Sequence, residues 1–289
     1  MVKWGIYVIL SIIWGSSFKL MKIGLEVLSP YQVAAIRMIS AGVILLPFAI
    51  NAIRKIPRKT FMLVILSGLL GSFFPAFLFC IAETRIDSSL AGILNALTPL
   101  FAVLIGVSFF NVYVSQERYI GVIVGFIGLA LLFIARGDIT FGYLSYAFLV
   151  VLATISYGVN VNIIGSYMNK LGSLNIASLS FVSLIIPSTI ILWNTGYFSY
   201  PLRSTQIITA TCASAVLGVF GTAFASVLFY VLVKRAGSLF ASTVTYGIPF
   251  VALFLGLMSG EMITTVQVGC LAIILSGVYL ANKEVKPAI

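Results

Sequence analysis

Histidine is absent from the 289 residues. That removes the commonest general base and metal ligand, and with them any histidine-based catalytic centre. Acidic side chains are scarce too: seven Asp and Glu against seventeen Lys and Arg, so that charged residues make up 8% of the chain. A soluble globular domain carries about a quarter. No Asp or Glu lies near the middle of an apolar run, so no carboxylate pair is available at depth for acid–base work. No P-loop is present, which argues against a nucleotide-driven pump. The three cysteines, Cys80, Cys212 and Cys270, sit in separate apolar segments with no C-x-x-C partner, and they read as small core residues. These absences exclude the usual enzyme classes, and no metal and no cofactor is expected.

What is present is apolar. Hydrophobic residues make up 61% of the chain, and the mean hydropathy is +1.16. Water cannot be the solvent for so much apolar surface, so the lipid bilayer is the first partner. The net charge of +10 does not point to nucleic acid, because the basic residues fall between apolar runs rather than on one soluble face. A spanning helix needs roughly 20 apolar residues. Apolar runs of that size occur at 4–24, 31–51, 61–82, 88–110, 119–135, 143–165, 174–194, 207–233, 239–258 and 264–281. The expected fold is therefore an all-α integral membrane protein of ten spans. The first run lacks an A-x-A cleavage pattern and carries Lys19 and Lys22 near its end, so it reads as a retained helix and not a secretory signal.

Basic residues orient the chain. With the N-terminus inside, the inner segments hold Lys3, Arg54, Lys55, Arg58, Lys59, Arg118, Lys170, Lys234, Arg235, Lys283 and Lys286, eleven in all. The outer side holds Lys19, Lys22, Arg85, Arg136 and Arg203, and Arg37 lies within a helix. The excess places both termini in the cytoplasm. Short loops suggest a bacterial cytoplasmic (inner) membrane, and a monomer is compatible with the sequence.

The two halves resemble each other. At an offset of 150 residues Leu78-Phe79 meets Leu228-Phe229, Arg85 meets Arg235, Ser88 meets Ser238, Pro99 meets Pro249 and Gly106 meets Gly256. At an offset of 143, Trp14-Gly15 meets Tyr157-Gly158 and Ala34 meets Ala177. The expected units are 1–138 and 139–289. Five spans in each, an odd number, would turn the second copy upside down. Inverted repeats of this kind recur in secondary transporters, because exchanging the halves' conformations switches the open side.

Several stretches carry a further likeness: Trp14-Gly15-Ser16-Ser17-Phe18, Leu28-Ser29-Pro30 followed by Arg37, the run from Ser89 to Leu100, Tyr246-Gly247-Ile248-Pro249 and Gly260-Glu261. In their order and spacing the chain resembles the drug/metabolite transporter superfamily, in particular its EamA-like group. Gln116-Glu117 departs from that group's Gly-Glu before the fifth helix. The resemblance covers the whole chain. It implies two inverted five-helix repeats around a cavity lined mainly by helices 1, 3, 4, 6, 8 and 9. It also implies facilitated movement or export of small polar metabolites such as amino acids; the lack of an Asp or Glu at depth favours uniport or exchange, with proton-coupled drug or metabolite efflux and a non-transporting membrane protein as the alternatives.

Polar groups at membrane depth need a cavity or a partner. In helix 1, Trp14 can form a cavity wall beside Ser17, though Gly15-Ser16-Ser17 also suits close helix packing. In helix 6, Tyr157 precedes Asn160 and Asn162; these two point to different sides, and Asn160 shares a face with Tyr157. Helices 4 and 9 carry Asn95-x-x-Thr98-Pro99 and Thr245-Tyr246-x-x-Pro249, where proline releases a carbonyl that could receive an ammonium or hydroxyl. Phe79 and Phe229 occupy equivalent places and are candidate cavity residues or ordinary core. Lys19, Lys22 and Arg37 would attract an anion if they converge near the outer mouth; headgroup snorkelling for the lysines, and loop carbonyls or Glu26 for Arg37, are the alternatives. Glu83, just beyond helix 3, is the carboxylate best placed to reach inward. The orientation is testable: a C-terminal green fluorescent protein fusion should fluoresce and a C-terminal alkaline phosphatase fusion should be inactive, the reverse pattern placing that end outside.

Overall fold

The computed structural model describes residues 2–54, 57–111, 116–134, 141–260 and 262–282, and among these every regular element is helical. In chain order they form α1 (Val2–Leu25), α2 (Pro30–Ala52), α3 (Thr60–Ala82), α4 (Ser88–Phe110), α5 (Gln116–Ile134), α6 (Phe141–Tyr167), α7 (Ser173–Asn194), α8 (Thr205–Ala236), α9 (Phe240–Met258) and α10 (Thr265–Asn282). Among the described residues eight helices are long and apolar enough to cross a membrane, and α5 and α10 hold shorter apolar stretches, Ile120–Leu131 and Thr265–Leu280. Large side chains face outward along these helices, among them Ile186 at 71% exposure and Phe254 at 62%. Such a surface is stable against hydrocarbon and not against water. The chain is a multi-pass membrane protein. The expected boundary at 138–139 lies outside the described residues, as do Lys55, Arg136, Lys283 and Lys286 of the orientation count and Glu261 of the Gly260-Glu261 motif.

Local sequence explains where helices begin. Ser29 accepts from the backbone of Gln32 while the Gln32 side chain accepts from the backbone of Ser29, with Pro30 opening the helix. Thr264 and Gln267 repeat the exchange before α10. Each reciprocal pair satisfies two donors that a helix start leaves open. Gln32 also donates to the Thr195 carbonyl at 2.9 Å, fastening the start of α2 to the end of α7.

Five helices are irregular; in α7 a turn at Leu184 precedes Pro187, and the other four border the centre. A π-helical segment interrupts α3 at Leu69–Phe73 and α8 at Leu217–Phe224. Helix α4 breaks after Asn95 and resumes at Thr98, just before Pro99; α9 tightens into a 3₁₀ turn at Thr243–Tyr246, just before Pro249. Side-chain hydroxyls donate to carbonyls at both breaks. Thr98 Oγ1 donates to the Asn95 carbonyl at 2.8 Å, Tyr7 donates to the Thr243 carbonyl at 2.7 Å, and Ser11 to the Val244 carbonyl at 3.2 Å. The Asn95 carbonyl, four residues before Pro99, thus already accepts from Thr98, and before Pro249 hydroxyls of α1 meet carbonyls of the 3₁₀ turn.

Helices α5 and α10 pack on each other through glycine. A Cβ on Gly277 would lie 2.3 Å from the backbone nitrogen of Gly125, so the two backbones touch. Gly277→Val should push the helices apart and lower stability by about 1–3 kcal/mol, read as an earlier thermal unfolding in detergent; unchanged melting would mean that the contact does not hold the pair.

Candidate functional site

The irregular segments of α3, α4, α8 and α9 border one cavity of about 100 Å³, several times the volume that one water requires. Helix α1 supplies Trp14, Ser17, Phe18 and Met21, and α2 supplies Arg37. Gly71, Ser72 and Phe79 come from α3, and Asn95 and Thr98 from the break in α4. The rest of the wall is Tyr157, Asn160 and Val161 of α6, with Gly221, Thr222, Ser226, Phe229 and Tyr230 of α8 and Ser242 and Thr245 of α9. The expected six helices thus contribute, and α2 joins them.

The aromatic part of the wall is continuous. Trp14 and Phe229 have ring centroids 5.4 Å apart, Phe18 and Phe79 5.9 Å, and Phe79 stacks on Tyr157 at 6.2 Å with 26° between planes. Trp14 is oriented by its indole N–H, which donates to the Gly221 carbonyl at 3.0 Å, inside the π-helical segment of α8. A π turn leaves carbonyls free to receive such a donor.

The charged part is Arg37. Its Nε donates to Thr222 Oγ1 at 2.6 Å, and the Thr222 hydroxyl in turn donates to the Leu217 carbonyl at 3.3 Å. A chain of two hydrogen bonds therefore fixes the guanidinium against the π segment. Gly218 permits the approach, since a Cβ there would meet the Arg37 carbonyl at 2.4 Å.

A buried polar cluster joins α3, α6 and α8. Ser67 Oγ donates to Asn160 Oδ1 at 2.6 Å, and the Tyr230 hydroxyl is hydrogen-bonded with both. Gly71 leaves the room that the Asn160 amide fills, for a Cβ there would lie 2.1 Å from Nδ2. Asn162 turns the other way, donating to the Ala102 and Gly158 carbonyls at 2.8 Å each, and serves helix packing.

Residues 3–134 and 144–283 both match the sequence profile of the EamA-like transporter family. The chain belongs to this family. It is 24% identical over 294 residues to a protein of Archaeoglobus fulgidus named as an uncharacterized transporter, covering 98% of this chain and all of that one. It is 24% identical over 277 residues to the Escherichia coli inner membrane transporter YedA, covering 94% and 88%. A Chlamydia trachomatis protein named as an S-adenosylmethionine/S-adenosylhomocysteine transporter is 26% identical over 271 residues, covering 86% and 79%. A solved crystal structure superposes with a TM-score of 0.68 at 16% identity, over 97% of this chain and 96% of that one, a likeness of fold alone. The protein is a membrane transporter.

Of the eleven residues singled out from the sequence of this EamA-like chain, nine line the cavity: Trp14, Ser17, Arg37, Phe79, Asn95, Thr98, Tyr157, Asn160 and Phe229. Two do not. Lys19 is exposed and lines a smaller pocket with Gly15, Phe18, Lys22, Ser88, Ala252, Leu255, Gly256 and Ser259. Tyr246 falls at the end of the 3₁₀ turn, and its neighbour Thr245 takes the place on the wall. The three basic residues do not converge either. Lys22 donates to the Glu83 and Ile86 carbonyls at 2.8 and 2.9 Å, capping the end of α3, where a cation is favoured. Within the Gly-Ser run, Gly15 is a packing residue pressed against Val251 of α9, while Ser17 faces the cavity.

Sequence reasoning passed over Ser72, Thr222, Thr245 and the glycines beside them, and a signal existed. Gly71-Ser72 meets Gly221-Thr222 at the offset of 150, and Asn95 meets Thr245; at 143, Ser17 meets Asn160 and Phe18 meets Val161. Carried further along the chain, the duplication marks the wall. Asn160→Ala should strand the buried hydroxyls of Ser67 and Tyr230 and cost about 1–3 kcal/mol, measured as a fall in thermal stability of the purified protein; no fall would mean that the cluster is not structural.

Proposed function

We propose that the chain is a secondary transporter that moves small polar metabolites, foremost amino acids and related compounds, across a bacterial cytoplasmic membrane by alternating access. The observation that carries this reading is the pairing of the cavity wall. Trp14 with Tyr157, Ser17 with Asn160, Gly71-Ser72 with Gly221-Thr222, Phe79 with Phe229 and Asn95 with Thr245 are equivalent positions of the two halves. Ten spans in two inverted five-helix repeats, 1–138 and 139–289, account for that pairing. They also account for the matched π segments of α3 and α8, the matched breaks before Pro99 and Pro249, and the two matches to the family profile. If the halves exchange conformations, the same wall opens first to one side and then to the other. Both termini then lie in the cytoplasm, and the E. coli relative named as an inner membrane transporter supports the location. The substrate of the Chlamydia relative, itself an amino acid derivative, falls within the same class of solute.

A second reading, proton-coupled efflux, is favoured by one feature. Glu83 is 1% exposed at the end of α3, with Ser88 Oγ donating to its Oε2 at 3.3 Å. A buried carboxylate at the edge of a transport path is a candidate proton carrier.

Proteoliposomes separate the readings. Preloaded unlabelled amino acids should drive counterflow of labelled ones, and dissipating a proton gradient should leave that exchange unchanged. Glu83→Gln should likewise leave its pH profile unaltered; a profile flattened by the substitution, with transport retained, selects the proton-coupled reading instead. Inertness across a broad panel of solutes would remove transport of small polar metabolites altogether.

A further inference from the structure

Among the described residues the cavity wall carries one formal charge, Arg37, and no Asp or Glu. A lone cation in a membrane-embedded site is costly, and it persists where something compensates it. The surrounding protein supplies little. Among the described residues Thr222 is the one hydrogen-bond partner of the guanidinium, and it engages Nε alone. Arginine presents five N–H donors in a planar fork, so the two terminal amino groups remain for a ligand. The repeat does not demand this charge. At the offset of 143 the position equivalent to Arg37 is Ser180, a neutral residue buried against α3, where it donates to the Val64 carbonyl at 2.8 Å. Arg37 is thus an asymmetric addition to an otherwise paired wall. Its Nε is held by a hydroxyl of a π turn, which fixes the plane of the fork before any ligand arrives.

We infer that the cavity selects solutes bearing a carboxylate, which docks in two-pronged fashion on the terminal amino groups of Arg37 while the remainder of the solute lies against the aromatic wall. This rests on the transport reading and narrows its substrate class. A solute whose only charge is positive finds no counter-ion on the wall and meets repulsion from Arg37. An amino acid loses nothing essential, because the ammonium meets neutral acceptors on the wall such as the Asn95 side chain and the Ser17 hydroxyl. Rings suit the wall formed by Trp14, Phe79, Tyr157 and Phe229, so aromatic probes report most directly.

The test uses the full-length protein in detergent for binding and in liposomes for exchange. Phenylalanine and phenylacetate supply carboxylates, phenylalaninamide and phenylacetamide replace the carboxylate by an amide, and phenethylamine is a cation. Ligand-dependent thermal stabilisation should rank the carboxylates at least about ten-fold tighter than their amides, with phenethylamine weakest. Arg37→Gln should abolish that preference, and Arg37→Lys, which keeps the charge without the fork, should restore only part of it. Should Arg37→Gln fail to fold, Thr222→Val carries the same test, since it leaves the charge in place but releases its plane; carboxylate binding should weaken several-fold with amide binding unaltered. Equal binding of amides and carboxylates, or wild-type carboxylate affinity in a folded Arg37→Gln, overturns the inference. If liposomes exchange neutral or cationic solutes but not carboxylates, the inference falls and the transport reading stands. If solutes of no charge class exchange, the transport reading falls and the inference with it.

Discussion

Within hydrocarbon a backbone carbonyl that leaves its helix must find another donor, because no water is there to supply one. That demand organises the centre of this bundle. Proline breaks α4 and α9, and π segments loosen α3 and α8, so carbonyls are released at the depth where a transporter needs irregular backbone. Side chains meet carbonyls in α4, α9 and α8: Thr98 in its own helix, Tyr7 and Ser11 from α1 at the 3₁₀ turn of α9, Thr222 within its own π segment, and the Trp14 indole at Gly221. The helices that line the cavity are therefore joined to one another by the bonds that make their irregularity tolerable.

The same accounting explains the composition of the wall. Hydroxyls that satisfy carbonyls are also the polar groups facing the cavity, so Thr98, Thr222 and Thr245 serve backbone and cavity together. Glycines are used where a second backbone or an amide must come close: Gly71 under Asn160, Gly218 under Arg37, Gly15 against α9. Helices α5 and α10 stand apart from this. They form a pair closed by Gly125 and Gly277, away from the wall. An element with no released carbonyl to satisfy has no reason to carry buried hydroxyls at the centre, and theirs are few.

Much of the wall was legible beforehand for a physical reason. A polar or aromatic residue in the middle of an apolar run is conspicuous, because lipid punishes it unless it has a purpose; Trp14, Asn95, Thr98, Tyr157 and Asn160 stood out in this way. Lys19 and Tyr246 misled because helical spacing shows which residues share a face but not which neighbour that face meets. Ser72, Thr222 and Thr245 escaped because serine and threonine are ordinary in membrane helices, and their hydroxyls can turn back on the local backbone. What distinguishes them is recurrence at equivalent places in the two halves, a pattern of pairs and not of single residues.

The amino-acid sequence by itself determined the solvent, the helical class, the breaks at Pro99 and Pro249 and the family, since each follows from composition or local order along the chain. Tertiary structure alone decided which polar groups remain available. Lys22 and Arg37 are both cations on membrane helices, yet one is consumed by the carbonyls of Glu83 and Ile86 while the other keeps most of its donors. That difference arises from a neighbouring loop in one case and a π turn nearly two hundred residues away in the other. Such partners are set by how the helices pack, and no local pattern encodes them.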